Sequence, residues 1–249
     1  MNHKDLDTSF RPLLLGSGRL ARHLHRYLEL TGCPHLVWEH PRTPPPSEIT
    51  SQASHFWILV RDEALPGLCA SLRADHPQKP LLHSSAATRV PHAVTVHPLM
   101  TFGPGLYGLS RYQSIPFILI HEEVEPYPEI PHFLKNTLGN PVHRIPQEDR
   151  IRYHAAAVMA SNFSMLLWEA SLSGTPRDSL PPRESFQPIL EQTLANFIEH
   201  GSGALTGPLA RGDQSVVSAH LEALHASPAR GLYRSFVDYF KATRKEGAS

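Results

Sequence analysis

Two rhythms of apolar residues alternate through the first half of the chain. Short, mostly apolar runs at 13–15, 35–38, 56–60, 80–83, 93–96 and 115–120 read as strands. Between them leucine recurs at helical spacing, as Leu20, Leu24 and Leu28 and again as Leu65, Leu68 and Leu72. Strand, helix, strand, helix, strand in this order predicts a parallel sheet with both faces covered. Gly32 and Pro34 stop the first helix, and Asp62 is placed to cap the second. Residues 1–9 are polar and read as a frayed terminus. Residues 42–47, with Pro44, Pro45 and Pro46 in succession, and 103–114, with three glycines, read as loops. A helix over 128–138 and a strand over 142–145 extend this region. After Pro146 the rhythm changes. Residues 151–172 are apolar and alanine-rich without Gly or Pro, which predicts a buried helix of about six turns. Further helices follow at 183–200, 214–225 and 229–243, with Pro188 marking uncertainty near the start of the first. The expectation is an α/β domain over 1–146 followed by an all-α domain over 147–249.

The first strand runs into Gly16-Ser17-Gly18-Arg19-Leu20-Ala21. This is a glycine turn opening a helix, the arrangement that binds a dinucleotide pyrophosphate at a helix N-terminus. Gly16 permits the tight turn, Gly18 removes the Cβ that would block the phosphates, and Ala21 lets helix and strand approach. An ordinary strand-to-helix turn is the bland alternative. Glu39 ends the second strand 23 residues beyond Gly16, where such folds place the acid that holds the adenosine ribose. Arg19 and Arg42 favour a 2′-phosphate and hence NADP over NAD, whereas Glu39 would repel one. Glu39 and Arg42 read equally well as solvated loop charges. Ser84, Ser85 and His97 fall at the carboxyl ends of strands, where ligands of parallel sheets bind.

Charge narrows the partners. Lys and Arg number 23, Asp and Glu 23, so no net field attracts nucleic acid or an anionic membrane, and a small molecule is the expected ligand. The sequence has no apolar run of about 18 residues and no apolar core near its start, which leads us to expect a cytoplasmic protein. Cys33 and Cys69 read as reduced packing thiols. The 17 histidines fall into no metal-binding spacing, and no metal is expected.

Three further stretches, together with the glycine turn, resemble one family: His97-Pro98-Leu99-Met100-Thr101-Phe102; Tyr153-His154 followed by three alanines and ending in Ser161-Asn162; and Ala204-Leu205-Thr206-Gly207-Pro208-Leu209-Ala210-Arg211-Gly212-Asp213. The chain resembles, over roughly residues 11 to 240, the Rossmann-like proteins with a C-terminal domain of unknown function 2520. These lie near ketopantoate reductase, pyrroline-5-carboxylate reductase, prephenate dehydrogenase and 6-phosphogluconate dehydrogenase. The resemblance implies a nicotinamide-binding domain joined to a helical domain, substrate between them, and a homodimer. It also implies substrate contact by His97, assisted by Ser84 or Ser85, with proton transfer by an imidazole near neutral pKa. Relatives often carry Lys-x-x-x-Asn on the long helix; if Asn162 is that Asn, Val158 stands where the Lys would be. His154 is the candidate replacement. In a regular helix His154 lies about 12 Å and about 80° from Asn162, and within about 20° of the face of Ser161. His154 and Asn162 read equally well as buried polar groups satisfied by backbone. Thr206 and Arg211 are candidates for the substrate, Arg211 for a carboxylate, while Asp213 is expected to cap a helix.

Two readings follow. One is an NAD(P)-dependent oxidoreductase for a small carboxylate-bearing hydroxy, keto or imino compound, with His97 or His154 moving the proton and Asn162 orienting the substrate. The other is a dinucleotide-binding sensor or scaffold without the chemistry, as the missing Lys would allow. A deazaflavin cofactor is a minor third.

Overall fold

The structure, a computed structural model, describes residues 10–40, 43, 45–173 and 181–245. It divides into two compact units, Met1–Met159 and Ala160–Ser249.

In chain order the first unit contains β1 (Pro12–Leu15), α1 (Arg19–Thr31), β2 (Leu36–Trp38), α2 (Ser47–Gln52), β3 (His55–Ile58), α3 (Leu65–Asp75), β4 (Leu81–His83) and β5 (Ala93–Pro98). It continues with α4 (Leu109–Gln113), β6 (Phe117–Ile120), α5 (His121–Val124), α6 (Glu129–His132) and a π turn at Phe133–Thr137, then β7 (Val142–Ile145) and α7 (Arg150–Val158). The seven strands lie in the order β2-β1-β3-β4-β5-β6-β7. Alternate side chains of β1, β3 and β4 enter opposite cores, which is why these strands read as apolar on both faces. Leu14, Trp57, Leu82 and Val94 pack toward α1, whereas Leu13, Leu15, Phe56, Ile58 and Leu81 pack toward α3. Gly32, at φ 69°, ends α1 as its sequence predicted. Asp62 sits in the turn before α3 and makes no cap, since Ala64 holds that position.

The sheet is not parallel throughout. β5 and β6 pair antiparallel, so β6 and β7 run opposite to the other five strands. The connection between β5 and β6 packs against α1: His23 Nδ1 meets the Tyr112 hydroxyl at 2.9 Å and His23 Nε2 meets the Gly103 carbonyl at 3.0 Å. A buried amide secures the far side. The Asn140 amide donates to the carbonyls of Tyr112 and Ile115, and its Oδ1 accepts from Tyr27 of α1 at 2.7 Å.

The first unit also extends past the expected boundary at 146/147. Arg150 is buried and donates to the carbonyls of Ala86 and Thr88, which fastens the start of α7 to the sheet unit.

The second unit comprises α8 (Ser164–Ser173), α9 (Gln187–His200), α10 (Pro208–Arg211), α11 (Gln214–Ala223) and α12 (Ala229–Lys245). Pro188 falls in the first turn of α9, where a missing N–H costs nothing. The helix expected over 151–172 forms as an unbroken helical run of α7 and α8, with a π-wound segment, Met159–Phe163, between them. Ser161 and Asn162 are weak helix formers, and the Ser164 hydroxyl bonds back to the Ala160 carbonyl at 3.3 Å, both of which loosen a regular helix. The helix is not buried: Met165 and Leu166 are 60% and 58% exposed. Among the described residues no helix is long and apolar enough to cross a membrane.

Gly16 has the least room for a side chain of the described glycines. It sits at φ 151°, and a Cβ there would lie 2.3 Å from the Leu59 carbonyl oxygen. Gly16→Ala must push β1 and β3 apart and should lower stability by about 2 kcal/mol or more; chemical denaturation of the two proteins reads this directly.

Candidate functional site

β1, β3, β4 and β5 are parallel, so the turns after them share one edge of the sheet. β1 lies between β2 and β3, which makes the turn after β1 a topological switch point. Gly16 crosses that point, its N–H donating to the Trp38 carbonyl at 3.1 Å. Two residues on, a Cβ built at Gly18 would meet nothing within 4 Å. α1 begins there with no side-chain cap and no acidic residue in its first turn, so its leading N–H groups are left for an external acceptor. Ser17 and Arg19 are exposed, and Leu20 is half-buried against the core. Arg19 reaches the Phe102 carbonyl at 3.4 Å. Glu39 is exposed just beyond β2, and Arg42 lies outside the described residues. These residues fit a dinucleotide pyrophosphate: a clearance at Gly18, a helix start without a competing carboxylate, and a guanidinium beside it.

On the same edge, at the end of β5, His97 Nδ1 lies 2.6 Å from the Tyr153 hydroxyl of α7. The two rings meet edge to face, and the His154 ring centroid is 6.4 Å from that of His97. Burial, with a smaller contribution from His154, pushes the His97 imidazole down to about 4, and burial raises Tyr153. His97 is therefore neutral at pH 7, which corrects the expectation of a histidine titrating near neutrality. Its Nδ1 either accepts the Tyr153 proton or donates to the Tyr153 oxygen. In the first case Nε2–H remains as a donor, in the second the phenolic O–H does. Each arrangement is an uncharged donor suited to a carbonyl or imine.

The Ser84 oxygen accepts from Trp57 Nε1 of β3 at 3.0 Å, which leaves its O–H as a donor. Ser85 caps the following turn by accepting the Thr88 N–H. Tyr153 was not among the residues singled out from sequence. The signal for it was its position three residues after Arg150, which puts both side chains on one face of α7.

The remaining candidates belong to the second unit. Asn162 lies in the π turn, its Oδ1 accepting from Ser161 at 3.0 Å. Helix-wheel angles between His154 and Ser161 or Asn162 do not carry through that turn, whose hydrogen bonds reach five residues back. Arg211 pairs with Asp213, Nε to Oδ2 at 2.9 Å. Asp213 occupies the position before α11, but its carboxylate takes this guanidinium and makes no cap. Thr206 is exposed and lines a groove of about 650 Å³ with Phe197, Leu205, Phe236, Tyr239 and Arg244. Among the described residues no group of three or more His, Cys, Asp or Glu could hold a metal ion. Cys33 and Cys69 are both buried free thiols, and burial raises both, Cys69 to about 11.

His97 and His83 should together make the protein acid-sensitive. Burial holds both near 4, against an ordinary value of about 6.5. Between those values the unfolded chain binds more protons, so stability falls as pH drops from 6.5 to 4 and no further below that on their account. The melting temperature should decline across this window, and His83→Gln should flatten the decline.

Residues 117–239 match the family described as domain of unknown function DUF2520. No curated protein matches the chain. Among solved structures the chain is similar to a candidate NADP oxidoreductase from Bacteroides fragilis, at 21% identity over 94% of this chain and 99% of that one, with a TM-score of 0.73. A Thermotoga maritima protein shows 20% identity over 96% and 100%, TM-score 0.66. An imine reductase from Streptomyces aurantiacus shows 13% over 96% of each chain, TM-score 0.65. These likenesses extend over nearly the whole chain and concern its fold. Residues 117–239 thus match the DUF2520 family model, and the chain has the fold of these structures, a Rossmann-like sheet unit followed by a helical unit.

Proposed function

We propose that the protein is an NAD(P)-dependent oxidoreductase acting on a small carboxylate-bearing hydroxy, keto or imino compound. The observation that carries this reading is the neutral His97–Tyr153 pair, 2.6 Å apart, on the same sheet edge as the glycine turn. The names of the similar structures, an NADP oxidoreductase candidate and an imine reductase, support the class. When bound, a nicotinamide dinucleotide supplies or accepts a hydride.

The chain's own residues do the rest. Gly16 and Gly18 admit the pyrophosphate, and the start of α1 and Arg19 hold it. Arg19 favours NADP, Glu39 favours NAD, and NADP is the preferred proposal. The outward proton of the His97–Tyr153 pair polarises the substrate carbonyl or imine and passes to it as charge develops, with His154 beside it as an exchange partner. Ser161 and Asn162 are the polar pair that would orient the substrate. Arg211 would share its guanidinium with Asp213 to hold a carboxylate.

Calorimetric titration with NADPH and NADH comes first, followed by a screen of keto and imino acids for dinucleotide oxidation. Tyr153→Phe and His97→Asn should each cut kcat by about 100-fold or more while leaving dinucleotide affinity within about threefold. Absence of binding by either dinucleotide overturns the reading. Binding without turnover on any substrate favours a sensor.

We also propose a homodimer. α8 carries Met165, Leu166, Leu167 and Trp168 exposed together, and among the described residues of its unit only Val217 and Val237 are buried hydrophobics. A unit of this size needs more apolar cover than that, and exposed apolar residues all round α8 leave a surface that a second copy can bury. Light scattering should give a dimer, and Leu166→Glu should yield monomer or insoluble protein; monodisperse monomer from the unaltered chain would refute this.

A further inference from the structure

We propose that Arg150, with Glu123 and Thr95, is the positioning device that fixes the register of α7 on β5 and thereby sets the His97–Tyr153 hydrogen bond. The inference rests on the reading of that pair as the reacting groups, and its test does not depend on turnover.

Thr95 and His97 are two residues apart on β5 and share a face of the strand. Arg150 and Tyr153 are three apart on α7 and share a face of the helix. The elements therefore meet along two rungs, Thr95 to Arg150 and His97 to Tyr153. The rungs are spaced about 6.7 Å along the strand and about 4.5 Å along the helix. The length of the Arg150 side chain takes up that difference.

Arg150 is 1% exposed, and its donors point to fixed acceptors. Nε donates to the Ala86 carbonyl at 3.0 Å, and Nη2 donates to the Thr88 carbonyl at 2.8 Å and to the Thr95 hydroxyl. Nη1 donates to Glu123 Oε1 at 2.7 Å, while Glu123 Oε2 accepts the Thr95 N–H at 2.8 Å. Glu123 thus neutralises the guanidinium and grips β5 at the same residue the guanidinium grips. The arrangement is rigid because a planar fork with five donors meets acceptors on three segments: the turn after β4, β5 itself and α5. A Lys ammonium is compact, offers three donors and cannot span them. A buried charge so heavily bonded, one turn ahead of the tyrosine it would align, is a strong determinant of where that hydroxyl sits.

The test is nitrogen-15 histidine NMR of the full chain, comparing the unaltered protein with Arg150→Lys, Thr95→Val and Tyr153→Phe. His23, bonded to Tyr112 and Gly103 away from this face, reports that α1 and its loop remain folded. In the unaltered protein the His97 ring should show one neutral tautomer from pH 7.5 to 5.5. In Arg150→Lys and Thr95→Val it should move to averaged tautomers, as in Tyr153→Phe, with titration shifted up toward about 6.5. Adding Tyr153→Phe to Arg150→Lys should then change nothing further at His97. If turnover is established, Arg150→Lys should lower kcat about tenfold or more with the dinucleotide KM unchanged. An unaltered His97 spectrum in folded Arg150→Lys overturns the proposal. Should Arg150→Lys fail to fold, an unaltered spectrum in Thr95→Val overturns it equally. Failure of the oxidoreductase reading would show as absent turnover with the His97 shifts intact.

Discussion

The Leu59 carbonyl oxygen stands where residue 16 would carry its Cβ. That close approach of β1 to the end of β3 lets the chain leave the sheet sharply enough for α1 to start beside the strand ends. The backbone there pairs to both sides, Gly16 N–H to Trp38 and Leu59 N–H to Leu15. Two consequences follow from one missing side chain: β2 and β3 are held on either side of β1, and the helix start opens into the crevice between them. His97 reaches the same edge only because β5 runs parallel to β1, β3 and β4.

The parallel half of the sheet was legible in the sequence because its information is local. Apolar runs, leucine spacing, Gly32 and the glycine turn each decide structure within a few residues. The reversal at β6 was not, because an apolar run reads the same in either strand direction and no periodicity reports which way it pairs. The π turn escaped for a different reason. A helix pattern fixes which residues are apolar, and Ser161 and Asn162 suit either winding. Exposure of α8 was misread because an apolar helix demands cover without saying which molecule supplies it.

The sequence nominated His97 and His154, which the structure brings near each other, but not Tyr153, which meets His97. The His-Pro stretch at the end of a strand marked His97 on its own. Tyr153 and Arg150 acquire meaning only once α7 lies along β5, and Glu123 only once α5 caps the edge of β5 next to β6. Ser84 was placed correctly at a strand end, where its oxygen accepts from Trp57 and its O–H is left as a donor. Strand-end position nominates a residue; the neighbour across the strand decides what it has left to offer.

Both sulfurs of the cysteines lie inside the first unit, with their thiols pushed up by burial. Thiolate is the form that attacks disulfides and reacts with peroxide, and here it is scarce and shielded. Swings in cellular thiol poise should pass this protein by, and thiol-directed alkylating reagents should leave the folded chain unmodified. The sheet unit that holds both thiols is thus shielded from the oxidation ladder that governs exposed cysteines.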